Sequence, residues 1–129
     1  KIGLANWTPE GFIGQLFKTL GKYLPPPAGA KSPALWGTDS RITEMFGGAA
    51  SDIRTVRRAF AFRYRSPDHF VDVFKTYYGP VLKAFAALEA GKRDLLERDM
   101  LALIAMHNRA EDGTMVVQSE YLQVLITRR

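Results

Sequence analysis

No cysteine occurs among the 129 residues, and only two residues are histidine. The first absence excludes a disulfide framework and a thiolate zinc site, and it agrees with a reducing, cytoplasmic setting. His69 and His107 stand at no metal-ligand spacing with each other or with carboxylates, so no metal site is expected. Long hydrophobic runs are missing too. The longest, Met100 to Met106, has seven residues, against about 20 for a membrane helix, so no membrane partner is expected. A nucleophile elbow, a phosphate loop and a dinucleotide fingerprint are equally lacking. Gly47-Gly48 is an isolated helix breaker and not a phosphate cradle.

What is present is ordinary globular material: 47% hydrophobic and 24% charged residues, with a formal net charge of +5. The length suits one hydrophobic core, and the charge permits a polyanionic partner without requiring one. The chain opens at Lys1, without methionine, directly inside an apolar strand-like run. That opening predicts a cut through a longer protein.

Ile2 to Trp7 reads as a short buried strand bounded by turn residues. Thr8-Pro9-Glu10 gives a helix start, with Thr8 as cap and Pro9 at the first helical position. Phe12, Ile13, Leu16, Phe17 and Leu20 follow at helical spacing, and Gly21 is the expected terminator. Pro25-Pro26-Pro27 then forces an extended segment, and the loop to Gly37 carries one large anchor, Trp36. A second helix should begin at Thr38 and stop at Gly47-Gly48. Ile53 to Arg65 alternates with period two, through Phe60, Phe62 and Tyr64, and reads as a strand. Ser66-Pro67-Asp68 opens a third helix, which Gly79-Pro80 should kink or divide. A fourth runs from about Lys92 to Asn108, with Leu95, Leu96, Leu103 and Met106 as buried candidates. A final strand covers Tyr121 to Thr127.

Two constellations stand out. Arg54, Arg57, Arg58, Arg63 and Arg65 interleave with the aromatics of the second strand. Such a pattern can serve single-stranded nucleic acid, or it is an edge strand blunted by charge; the edge strand is the expectation, and nucleic acid is the lesser alternative. The second is aromatic. Trp7 ends a strand, and Tyr77 and Tyr78 flank the helix break, so Trp7, Tyr77 and Tyr78 are candidates to line an apolar pocket.

Lys1 through Gly14, together with Ala34-Leu35-Trp36-Gly37-Thr38, Phe60 through Ser66, Phe70 through Pro80 and Tyr121-Leu122-Gln123-Val124, resembles bacterial class I S-adenosylmethionine-dependent methyltransferases. The resemblance covers essentially the whole chain and corresponds to the C-terminal half of such an enzyme. It implies an α/β fold: a partial Rossmann-like methyltransferase sheet of about three strands with about four helices. The last strand would be central and antiparallel to both neighbours. Within residues 1–129 it implies strand 1–7, a helical cap over about 8–50, strand about 53–65, helices about 67–108 and strand about 120–128.

The same resemblance implies S-adenosylmethionine as cofactor of the parent protein. The glycine-rich loop and ribose-binding acid of that family lie outside the matched half, so no cofactor residue carries over and this segment should not bind the cofactor tightly. No catalytic residue is identified. The region from Asn6 through Tyr78 would supply the cap over a small-molecule acceptor, with Trp7, Tyr77 and Tyr78 touching it. The strand Lys1–Trp7 would lack its outer neighbour, which predicts a homodimer, element exchange, or packing against the missing N-terminal half.

Overall fold

A computed structural model describes all residues, Lys1–Arg129. Three strands and five α-helices alternate along the chain: β1 Ile2–Trp7, α1 Phe12–Tyr23, α2 Asp39–Phe46, β2 Ala50–Tyr64, α3 Pro67–Tyr77, α4 Gly79–Ala87, α5 Ala90–His107 and β3 Met115–Arg128. A short 3-10 helix, Pro33–Gly37, stands between α1 and α2. The sheet order is β1-β3-β2, with β3 central and antiparallel to both neighbours. The expected placement of the last strand between the other two therefore holds. The helix count is five instead of about four because Tyr78, in extended conformation, separates α3 from α4 and Pro80 sits at the start of the new helix.

The start of α1 differs from expectation. Thr8 is fully buried and stays tied to the sheet: its N–H donates to the Glu120 carbonyl at 3.1 Å. Its hydroxyl accepts from Gly11 N at 3.2 Å, closing a turn ahead of the helix. The α1 cap comes from across the sheet, where buried Ser119 Oγ accepts from Ile13 N at 3.1 Å. Gly14 is required here, because a Cβ would collide with the Thr8 and Pro9 carbonyls. Gly21 does not end α1, which runs to Tyr23 before the proline run stops it. α2 and α3 begin at the expected places, with the Thr38 hydroxyl accepting from Arg41 N and the Ser66 hydroxyl from His69 N.

Strand β3 begins at Met115, earlier than predicted, and its burial changes phase along its length. Met115, Val117 and Ser119 are buried first, then Leu122, Val124 and Ile126. Alternate residues of a strand face opposite sides, so the two halves bury opposite faces. The first half packs under α1, α3 and α5 in a cluster of 17 buried residues. The second joins Ile42 and Ala50 in a cluster of five. In α5 the buried stripe is Leu96, Met100, Leu103 and Ile104, whereas Leu95 and Met106, expected inside, are exposed off that stripe. The outer edge of early β3 is closed by Asn108, whose Oδ1 accepts from Val116 N at 2.8 Å while its Nδ2 donates to the Thr114 carbonyl at 2.9 Å.

Candidate functional site

The face that carries Val117 and Ser119 continues toward the other end of the sheet as Trp7, Ala5 and Gly3 of β1, Val56 and Phe60 of β2, and Tyr121 and Leu125 of β3. No helix covers it there. Val56 is 49% exposed, Phe60 50% and Leu125 40%. Arg54 and Arg58 of β2 and Gln123 of β3 stand on the same face among them, so the uncovered area sets apolar side chains beside two guanidinium groups.

Trp7 lies at the C-terminal end of β1. It is half-buried and separates two hollows. On the sheet face a hollow of ≈ 220 Å³ is lined by Ala5, Trp7, Phe60 and Tyr121, all apolar or aromatic. The Trp7 ring meets Phe60 and Tyr121 edge-on, with centroids 6.3 and 6.1 Å away. Behind it, a hollow of ≈ 270 Å³ is lined by Ala5, Asn6, Trp7, Phe17, Pro33, Ala34 and Trp36. The 3-10 helix closes against this side so tightly that Gly37 has no room for a Cβ beneath the Trp7 carbonyl. Trp36, the anchor of the loop, stands edge-on to Phe46 and remains 39% exposed.

Asn6 is the one polar residue lining the second hollow. It shares its sheet face with Ile2 and Leu4, opposite buried Leu122. Its Nδ2 is closed to solvent and has no hydrogen-bond partner. An orphaned donor of this kind costs about 1–3 kcal/mol. Sequence reasoning placed Asn6 only at the edge of a long region. The signal available was a polar residue at an apolar-facing strand position, and only the pairing register shows that it is one.

Tyr78 connects to Trp7 through two rings and lines neither hollow. Phe62 lies 5.6 Å from Trp7, Phe74 6.0 Å from Phe62, and Tyr78 4.7 Å from Phe74. Burial raises the Tyr78 phenol pKa above the ordinary tyrosine value. Tyr77 is 81% exposed and lines neither hollow. The structure thus unites Trp7 and Tyr78 in one aromatic run and leaves Tyr77 outside it.

The arginines of β2 are largely engaged. Arg54 pairs with Asp52 at 2.8 Å, Arg57 with Glu120 at 2.9 Å and Asp39 at 3.8 Å, and Arg58 donates to Gln123 Oε1. The pairing register divides them between both faces: Arg54 and Arg58 on one, Arg57 and Arg63 on the other. No group of His, Asp or Glu side chains converges as a metal site would need. Neither hollow at Trp7 has a carboxylate that could hold a ribose, so the residues present do not fit S-adenosylmethionine.

Fold and site together define an α/β chain with a three-stranded antiparallel sheet and a ligand-sized apolar site at one strand end. Among curated proteins, the chain is similar to "Uncharacterized protein Rv1403c" of Mycobacterium tuberculosis, with 41% identity over 124 residues, 95% of this chain and 44% of the relative. Its counterpart in Mycobacterium bovis, "Uncharacterized protein Mb1438c", matches equally. "Uncharacterized protein Rv1405c" of Mycobacterium tuberculosis is 31% identical over 132 residues, covering 99% of this chain and 47% of the relative. The chain spans less than half the length of the curated relatives it matches. No protein-family model matches it. No helix is long and apolar enough to cross a membrane.

Proposed function

We propose that the chain is the C-terminal, acceptor-side portion of a cytoplasmic S-adenosylmethionine-dependent methyltransferase acting on a small, mainly apolar molecule. The observation that carries the reading is the pair of apolar hollows meeting at Trp7, at the C-terminal end of β1. The antiparallel order with β3 in the centre, which the resemblance implied, supports it. In this reading the chain seats the acceptor against Trp7 and excludes water around it, because transfer of a methyl group depends chiefly on alignment. Phe62, Phe74 and Tyr78 back the Trp7 ring from the core side. Tyr77 joins the site only where further polypeptide covers the end of α3.

The cofactor half comes from elsewhere. The free side of β1 and the uncovered sheet face are its seat, and the greater length of the relatives favours such packing over a homodimer or element exchange. Isothermal titration of S-adenosylmethionine is the test: the 129-residue chain alone shows no tight binding, and the longer polypeptide containing it binds and turns over. In that longer protein, Trp7→Ala raises the acceptor KM about ten-fold or more. Tight cofactor binding by the chain alone, or an unchanged KM in the Trp7→Ala enzyme, defeats the reading. The alternative, an interaction module that binds nucleic acid through the Arg54–Arg65 strand, draws less support. Three of its arginines are already occupied by Asp52, Glu120 and Gln123.

A further inference from the structure

We infer that Asn6 is a specificity-determining residue that reads an oxygen atom on the ligand of the hollow behind Trp7. The inference rests on the reading of that hollow as an acceptor seat and adds the chemistry of the acceptor: a compact, flat, apolar molecule carrying a carbonyl or similar oxygen acceptor.

Three observations carry it. The hollow, ≈ 270 Å³, has the size of a small bicyclic molecule and is walled by the rings of Trp7, Phe17 and Trp36. Its single polar wall residue is Asn6, whose Nδ2 is closed to solvent with no acceptor in reach of a hydrogen bond. The fold has no need of an amide there. Ile2 and Leu4 occupy the same face of the same strand, and the cross-strand neighbour is Leu122, so an aliphatic side chain would fill position 6 without an orphaned donor. The donor is closed to solvent and so faces away from the open hollow; turned into it, an unpaired N–H discriminates ligands with a matching acceptor from those without one. The terminal torsion of asparagine is broad and roughly two-fold, so the amide can turn its N–H groups toward a ligand that enters beside Trp36, itself 39% exposed.

The experiment compares two ligands of nearly identical shape, indane and 1-indanone, titrated by calorimetry into the intact longer polypeptide and into its Asn6→Leu variant. The intact protein should bind the ketone about ten-fold more tightly than the hydrocarbon. The Asn6→Leu protein should bind both equally, with the affinity for indane kept or improved. Equal binding of the two ligands by the unaltered protein overturns the role of Asn6, and needs no variant. A preference that survives in Asn6→Leu overturns it as well, by assigning the discrimination to another group. Absence of binding by either ligand overturns the hollow itself. Cofactor titration judges the methyl-transfer reading separately, so either can fail alone.

Discussion

β1 leaves one side of its backbone unpaired next to Gly3, Leu4 and Ala5, whereas β2, at the opposite edge of the same sheet, is lined by Arg54, Arg57 and Arg58 with their partners Asp52, Glu120 and Gln123. Both edges expose the same backbone donors and acceptors. Only β2 carries the devices that discourage another strand from adding: charges along its length and an irregular register between Ala50 and Asp52. β2 thus carries the marks of an outer boundary, and β1 carries none of them. The uncovered Val56 and Phe60 of β2 and Leu125 of β3 share the face of Trp7, with Arg54 and Arg58 among them.

The largest effect expected concerns how β2 is anchored. Phe62 touches Trp7, Phe12, Phe70 and Phe74, so Phe62→Ala should cost about 3 kcal/mol in chemical denaturation. Phe60, two residues away on the same face and half exposed, should cost at most about 1 kcal/mol when changed to alanine. Equal losses would mean that the uncovered region is packed after all.

At the other edge, a charge should do to β1 what arginine does to β2. A Cβ at Gly3 meets nothing within 4 Å, so Gly3→Lys should leave the fold intact by circular dichroism. It should nonetheless weaken association with the remaining polypeptide, supplied separately, by about ten-fold, or 1.4 kcal/mol. Unchanged association in sedimentation would remove β1 from the docking surface.

Smaller still is the contribution of the charges that blunt β2. The Arg57–Glu120 pair is solvent-exposed, and Arg57→Ala should cost about 0.5 kcal/mol, a difference that shrinks as salt is raised. Last comes Tyr78. Burial raises its pKa above the ordinary tyrosine value, so its contribution is whole below about pH 10 and declines as pH climbs through the raised pKa. The Tm of the unaltered chain should therefore fall relative to Tyr78→Phe only in strongly alkaline solution. Tyr23, raised chiefly by its hydrogen bond to Asp99, shifts in the same direction in both proteins and cancels. A constant difference across pH would place the Tyr78 hydroxyl in water.

Much of the fold was legible from local signals. Helices start at Thr38 and Ser66 as expected, because a hydroxyl three residues before the bonded amide acts within one turn of chain. The break at Tyr78 follows from proline chemistry alone. The same logic misled at Thr8, where a sheet bond to Glu120 outweighs the cap-proline-acid pattern and Ser119, distant in sequence, caps α1 instead. Half of the candidate site was legible in the same sense. Trp7 ends a strand by pattern, and Tyr78 flanks a proline break. The solvent-facing turn of Tyr77 and the orphaned amide of Asn6 depend on which elements pack beside them.

Residue type and spacing along a few neighbouring positions suffice for the alternation of strands and helices, the absence of thiol chemistry and the charged character of β2. Which face each strand buries is not settled at that range. β3 has alternating residues throughout, yet it changes its buried side midway, because α1, α3 and α5 cover one face at one end and α2 covers the other face at the other end. Burial is set by what lies across the sheet, and that is a property of contacts between residues far apart in the chain.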